Sequence, residues 1–135
     1  MFALTLTRPW GIAVMRHGKD IENRVWAPVT QLKPGDRFAI HNALKIDPRG
    51  VAKVMEFLRD GRPAHAVDMD VLCGPPGVIL GTVRFCGIVR GSTSTWFEGP
   101  VGWVLADPRP LRDPIACRGQ QRLWAIPAGI EELMR

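Results

Sequence analysis

The chain has 135 residues, of which 46% are hydrophobic, and this composition suits one domain over residues 1–135 with a single core. Its 18 lysine and arginine residues outnumber the 13 aspartate and glutamate residues, and the resulting net charge of +5 favours anionic partners. Three cysteines without a C-x-x-C pair argue against a disulfide framework and against structural zinc. No run approaches the roughly 18 to 20 apolar residues that cross a bilayer, so we expect a soluble cytoplasmic protein with no membrane partner.

The predicted elements begin with a strand, a short helix and a second strand. Apolar residues alternate with alanine and threonine over residues 2–7, which predicts a strand. Pro9 suits the first turn of a helix over residues 9–17, and Gly18 is typical of the left-handed residue that follows a helix end. The next strand then places three side chains on one face: Glu22, Arg24 and Trp26.

The middle of the chain is predicted to hold a strand, a helix and a loop. A Pro-Gly-Asp turn leads into a strand over residues 37–41. Asp47 followed by Pro48 predicts the cap and first turn of a helix over residues 48–60. Residues 62–77 are rich in Pro, Gly and Asp, which favours a long loop.

The second half is predicted to be mostly strand. Residues 78–89 form a hydrophobic strand in which Gly81 and Gly87 mark bulges. A hydroxyl-rich loop, a short strand, a proline-punctuated segment, a closing strand and one last helical turn are then predicted over residues 92–96, 102–105, 107–114, 123–126 and 128–134.

Four segments of the chain resemble the ASCH domain, a family of the PUA-like superfamily. They are Arg8-Pro9-Trp10 with Gly18-Lys19-x-x-Glu22-x-Arg24, then Gly35–His41, Gly77–Val83 and Gly119–Trp124. Together they extend over essentially the whole chain. The resemblance implies an α+β fold, namely a small PUA-like mixed β-barrel flanked by short helices.

The resemblance also implies a role with RNA or nucleotides in a cleft between the barrel and the helices. One bacterial branch of the family hydrolyses the acetyl amide of N4-acetylcytidine, and its K-x-x-T motif supplies a threonine nucleophile activated by the lysine. This chain has Glu22 at the threonine position, so the nucleophile of that branch is absent.

We expect nine residues to bind the ligand: Arg8, Trp10, Lys19, Glu22, Arg24, Asn42, Ser94, Gln121 and Trp124. Lys19 and Arg24 would hold a phosphate, and Glu22 would accept a hydrogen bond from the exocyclic amine of a base. An indole would stack on the base. The structural alternative is that Glu22 and Arg24 simply pair with each other and fix the strand.

Two functions from different classes follow. The preferred one is a module that binds single-stranded RNA or a modified base or nucleotide in a basic, Trp-lined cleft. The alternative is a hydrolase acting on RNA or on an acylated nucleoside, with Lys19 and Glu22 as its catalytic residues. Neither function requires a cofactor, although a nuclease could use a divalent metal.

A third option is an adaptor domain that docks a protein through its prolines at residues 108–114. Nothing in the spacing of these prolines identifies a partner. The sequence leaves open the choice among RNA, DNA and a free nucleoside. It also leaves the oligomeric state open.

Overall fold

The computed structural model describes residues 1–28 and 30–135, which form an α+β fold around one mixed sheet. The strands are β1 (Phe2–Arg8), β2 (Ile21–Arg24), β3 (Arg37–Ile46), β4 (Val78–Val89), β5 (Val101–Ala116) and β6 (Leu123–Ala125). The helices are α1 (Trp10–Arg16), α2 (Pro48–Arg59), α3 (Met69–Cys73) and α4 (Ala128–Leu133), with a 3-10 turn at Ala64–Ala66. Within the described ranges, no helix combines the length and apolar character needed to cross a bilayer.

The sheet has the strand order β2-β5-β4-β3-β1-β6, in which β1 and β3 are parallel and the other pairs are antiparallel. The largest buried apolar cluster lies on the face that carries Phe38, Val83 and Trp103, and we call this the inner face. A smaller cluster, which includes Ala3, Ala39 and Trp124, lies on the other side. Helix α1 packs on the inner face through Val14 and Met15. Side chains alternate along a strand, so Arg37, Thr82 and Arg84 lie on the opposite, outer face.

The expected barrel is not closed, which corrects the prediction. No backbone ladder joins the edge strands β2 and β6 in the part of the chain that the structure describes. Both are short, with four and three residues. Side chains connect this region instead. Arg24 Nη2 donates to the Thr5 carbonyl at 3.4 Å, and the Arg122 guanidinium lies 4.1 Å from the centroid of the Trp26 ring. The sheet is therefore open, and polar and aromatic contacts link its ends.

Most predicted elements are confirmed. Asp47 caps α2 by accepting from the Arg49 N–H at 3.0 Å. Gly18 follows α1 with a φ of 71°, in the left-handed region where glycine is favoured. The register of β4 shifts around Gly81 and Gly87, as the predicted bulges require.

Two predicted segments are wrong. Residues 62–77 are not one long loop, because they hold the 3-10 turn and α3, whose cap Asp68 accepts from the Asp70 N–H at 2.9 Å. Strand β5 runs for 16 residues, through the prolines of residues 107–114. Strand β2 pairs only with residues 101–104 of β5, so beyond them one edge of β5 needs no N–H donors and tolerates proline.

A buried polar chain ties β1, β3 and β6 together on the outer face. Trp124 Nε1 donates to Thr5 Oγ1 at 3.1 Å, and Thr5 Oγ1 lies 3.2 Å from His41 Nδ1. His41 Nε2 donates to the Cys117 carbonyl at 2.6 Å, so Nδ1 is the acceptor for the Thr5 hydroxyl. Burial lowers the pKa of His41 below its ordinary value of 6.5. A Cβ at Gly119 would lie 2.6 Å from His41 Cε1, so this chain is closely packed.

Acid should weaken the fold through His41. Its pKa is lower in the folded than in the unfolded chain, so the unfolded state takes up more protons below about pH 6.5 and the free energy of unfolding falls. His41→Gln should flatten this fall, and His65→Gln, at an exposed position, should leave it unchanged. Urea denaturation across a pH series measures both. An unchanged pH dependence in His41→Gln would show that the ring is not held neutral.

Candidate functional site

A polar cleft of about 230 Å³ opens where β1 and β2 lie near the start of α2. We refer to it as the cleft. Its lining residues are Leu6, Thr7, Trp10, Lys19, Glu22, Asn23, Arg24, Asp47, Arg49 and Glu98. Four of the nine expected ligand-binding residues are among them: Trp10, Lys19, Glu22 and Arg24.

A carboxylate held between two cations forms part of the cleft wall. Glu22 Oε1 lies 3.0 Å from Lys19 Nζ, and Glu22 Oε2 lies 2.9 Å from Arg24 Nε. The side chains of Lys19 and Glu22 are only 2% and 9% exposed, and Arg24 is 26% exposed. Lys19 Nζ also donates to the Ile21 carbonyl. We call Lys19, Glu22 and Arg24 the ion cluster, and this pairing is what makes burial of its charges tolerable.

The Arg24 guanidinium is not fully used by the fold. Its Nε atom is close to Glu22 but is not aligned for a hydrogen bond and has no other partner among the described residues. Its Nη2 atom makes the long contact with the Thr5 carbonyl. The Nε atom is buried, but Nη1 makes no hydrogen bond among the described residues and the side chain is 26% exposed, so Arg24 keeps N–H capacity for a ligand at its Nη atoms.

The end of α1 brings Lys19 into the ion cluster. The His17 and Lys19 N–H groups both donate to the Ala13 carbonyl, at 3.0 and 3.2 Å, and the chain turns at Gly18 between them. Glu22 lies opposite Trp103 in the β2–β5 ladder, so its side chain is on the inner face of the sheet. The helix end and the strand register together place the ammonium beside the carboxylate.

Trp10 forms one wall of the cleft and is fixed from two sides. Its Nε1 donates to Asp47 Oδ2 at 2.9 Å, and this hydrogen bond is the main reason that the pKa of Asp47 is lowered. Asp47 is also the cap of α2. On the other side, a Cβ at Gly50 would lie 2.7 Å from Trp10 Cε2, so the absence of a side chain lets α2 lie against the indole. Lys19 Nζ is 5.4 Å from the Trp10 ring centroid.

The opposite wall is the loop that precedes β5, and Asn23 holds it. Asn23 Nδ2 donates to the Trp96 carbonyl at 3.0 Å. Asn23 Oδ1 accepts from the N–H groups of Glu98 and Gly99, at 2.8 and 3.0 Å. One amide thus fixes the backbone that presents the Glu98 carboxylate to the cleft.

Glu98 connects this loop to α2 and borders a second cavity. Its carboxylate lies 3.5 Å from Lys53 Nζ and 3.7 Å from an Arg49 guanidinium nitrogen. A cavity of about 630 Å³ between the loop and α2 shares Trp10, Arg49 and Glu98 with the cleft. Phe57 and Trp96 give this second cavity its aromatic surface. The cleft therefore borders a larger and less polar space.

The cleft is lined by equal numbers of positive and negative side chains, whereas the sequence predicted a basic cleft. Three cations face three carboxylates: Lys19, Arg24 and Arg49 with Glu22, Asp47 and Glu98. Within residues 1–28 and 30–135, no group of three or more His, Cys, Asp or Glu side chains is arranged to hold a metal ion. The cleft offers hydrogen-bond donors and acceptors for a polar ligand and does not present a surplus of positive charge.

Two of the expected ligand-binding residues lie outside the cleft and brace the α3–β4 connection. Arg8 donates to the Gly74 carbonyl at 3.2 Å and to the Leu44 carbonyl at 2.7 Å. Asn42 is fully buried, and its Nδ2 donates to the carbonyls of Cys73 and Pro75. Both side chains thus support local backbone.

The other three expected residues also lie outside the cleft. Trp124 is buried in the polar chain with Thr5. Ser94 Oγ donates to Asp20 Oδ1 at 2.6 Å and accepts from the Trp96 N–H, which braces the loop before β5. Gln121 is exposed and does not line the cleft.

Four polar residues at the cleft were not expected there: Asn23, Asp47, Arg49 and Glu98. Asp47 carried a sequence signal, but only as a helix cap. Strand parity put Asn23 on the face opposite Glu22, so the sequence pointed away from its place at the cleft. Glu98 and Arg49 carried no signal that distinguishes them from surface charges.

Comparisons with known proteins establish the fold. No known family model and no curated protein matches the sequence. Among solved structures, the chain is similar to the crystal structure of ASCH from Zymomonas mobilis, with a TM-score of 0.57 and 15% identity. The match covers 97% of this chain and 90% of that chain. The chain therefore has a fold like that of this ASCH structure, as the sequence motifs predicted.

Breaking the ion cluster should destabilise the protein. Lys19→Met leaves Glu22 buried with only Arg24 beside it, and removing one partner of a buried pair costs about 3–5 kcal/mol, so we expect the free energy of unfolding to fall by about 3 kcal/mol. The matched control is Lys53→Met, because its pair with Glu98 is more exposed and should cost less than about 1 kcal/mol. Urea denaturation at neutral pH measures both, and equal decreases would contradict a structural role for the cluster.

Proposed function

We propose that the protein is a nucleic-acid-binding module that holds one base of a single-stranded RNA in the cleft. The observation that carries the proposal is the buried ion cluster at a concavity walled by the fixed indole of Trp10. Two buried charges and one partly buried charge beside an open cleft make a rigid set of donors and acceptors that water cannot easily reorganise. Such preorganised polar groups are what recognition of a base edge needs.

The polar groups fit the edge of a base with an exocyclic amine. Glu22 Oε1 accepts one hydrogen bond, from Lys19 Nζ, and Oε2 has an ion-pair contact with Arg24. Each oxygen therefore keeps a lone pair that is able to accept from an amine such as cytosine N4. The unused N–H groups of Arg24 would donate to the ring nitrogen and carbonyl beside that amine. Cytosine, or a cytosine modified at the amine, is the base that best matches this sequence of one acceptor, Glu22, followed by the donors of Arg24.

The size of the cleft supports a single base with a chain leading away from it. At about 230 Å³ the cleft is below the roughly 300–1,000 Å³ of pockets that hold drug-sized ligands. The second cavity shares Trp10, Arg49 and Glu98 with it and has room for a flanking nucleotide. Stacking on the indole would add about 1–3 kcal/mol per base.

The contacts of the ion cluster argue against the hydrolase alternative. Lys19 donates to two oxygens, and both Glu22 oxygens face cations, so neither group is placed as a free base. Thr7 is the one hydroxyl-bearing residue among the described residues that line the cleft.

Prolonged incubation with N4-acetylcytidine, followed by chromatography, tests the hydrolase alternative. Release of cytidine that is abolished in Thr7→Val would establish hydrolysis.

Replacing the cleft indole should weaken base binding. Trp10→Leu removes the stacking surface, and a decrease of about 1.4 kcal/mol in binding free energy corresponds to a tenfold weaker RNA affinity. Trp26→Leu is the matched control, because Trp26 lies outside the cleft and stacks with Arg122. Fluorescence anisotropy with a labelled cytosine-rich RNA oligonucleotide measures both variants, after circular dichroism has shown that each is folded. Equal affinities in folded Trp10→Leu and wild type would refute the proposal.

A further inference from the structure

The outer face of the sheet carries a group of arginines that the cleft does not use. Arg37 of β3 is directly opposite Arg84 of β4, and Arg109 of β5 is opposite Thr82 of β4. Residues that face each other in a ladder point to the same side, so the three arginines share one face. We call them the outer arginine face.

The sheet itself separates this face from the cleft. Glu22 lies opposite Trp103, whose side chain belongs to the core on the inner face. The strand parity of Arg37 and Arg84 places them on the other side of the same sheet. A ligand in the cleft therefore has no direct path to these arginines, and the two surfaces are independent.

Positive charge on the outer arginine face exceeds the negative charge available to it. Asp107 Oδ2 lies 3.0 Å from Arg37 Nη1 and 2.9 Å from Arg109 Nη2, so one carboxylate serves two guanidinium groups. Arg84 is exposed and takes part in no ion pair among the described residues. Like charges directly opposite each other weaken a ladder. Burial is the main cause that lowers the pKa of Arg37, and the charges of Arg109 and Arg84 lower it further, while Asp107 raises it.

A concave surface lies beside these arginines. A cavity of about 490 Å³ next to α4 is lined by Arg37, Arg109 and Arg135. Glu131 is the one carboxylate residue among the described residues that line it, and it is already 2.9 Å from the Met1 amino group. The concavity thus presents three guanidinium groups, of which Arg37 and Arg109 share Asp107 and Arg135 has only an exposed contact of 3.8 Å with Glu132.

We propose that the outer arginine face binds the phosphate groups of an RNA backbone, on the side of the sheet opposite the cleft. Guanidinium groups bind phosphate oxygens in bidentate fashion. No aromatic residue is among the described residues that line the adjoining cavity, so contacts at this face would fix position and be independent of sequence. The choice of RNA as the polyanion rests on the function proposed for the cleft.

The test compares two double variants with the same change in charge. Arg84→Gln with Arg109→Gln removes two of the face's arginines, while Arg16→Gln with Arg90→Gln removes two exposed arginines from elsewhere. Affinity for a labelled mixed-sequence RNA oligonucleotide is measured by anisotropy over a series of salt concentrations. The face variant should reduce the slope of log K against log salt by about 0.7 for each phosphate that it no longer neutralises, and the control should leave the slope unchanged.

The outcomes separate this proposal from the one for the cleft. Equal slopes in the two double variants would overturn the outer arginine face as a phosphate site. Weaker binding of the face variant to a polyglutamate peptide, with unchanged RNA binding, would also overturn it, because the partner would then be an acidic protein. Calorimetry with free cytidine reports on the cleft alone. Cytidine binding that is about tenfold weaker in Trp10→Leu, without any change in the face variant, is the result expected if both proposals hold.

Discussion

The position of the Glu22 carboxylate between Lys19 and Arg24 is the constraint on which the cleft depends. A carboxylate that is 9% exposed needs compensation, and it has a cation at each oxygen. The same contacts fix the turn after α1 and the inner-face register of β2. Arg24 also reaches the Thr5 carbonyl, so the cluster helps to connect the two ends of an open sheet. The contacts that fix the strand, as in the structural alternative, are thus the same ones on which the proposed binding role depends.

The two walls around this cluster are held by single polar side chains. Asp47 accepts from Trp10 and caps α2, and Asn23 holds the loop that presents Glu98. Gly50 lets α2 approach the indole to a distance that any side chain would prevent. These contacts hold the walls in place before a ligand binds. Binding would therefore cost little conformational entropy of the protein, which favours binding by a site of modest size.

Local patterns were sufficient to predict the elements that carry the cleft. The alternation in β1, the cap at Asp47 and the shared parity of Glu22 and Arg24 all depend on residues close together in sequence. The position of Lys19 was not predictable, because it depends on how the chain turns at Gly18. Strand β5 was predicted too short, since its prolines are tolerated only because β2 leaves one edge of it unpaired.

Long-range partners explain the remaining differences. Arg8 and Asn42 are polar residues near a motif, yet their hydrogen bonds go to carbonyls in the α3–β4 connection, more than thirty positions away for Gly74 and Cys73. Glu98 reaches the cleft only because Asn23, 75 positions earlier, binds its N–H. Closure of the barrel also depends on a pairing between the distant strands β2 and β6. No local pattern reports on such contacts.

The account is tested most directly by a crystal structure of the protein with a short cytosine-containing RNA. It predicts electron density for one base against Trp10, with its exocyclic amine within hydrogen-bond distance of a Glu22 oxygen and with Arg24 beside its carbonyl. Density for the base at another surface, with the cleft empty or filled by a rearranged Trp10, would contradict it.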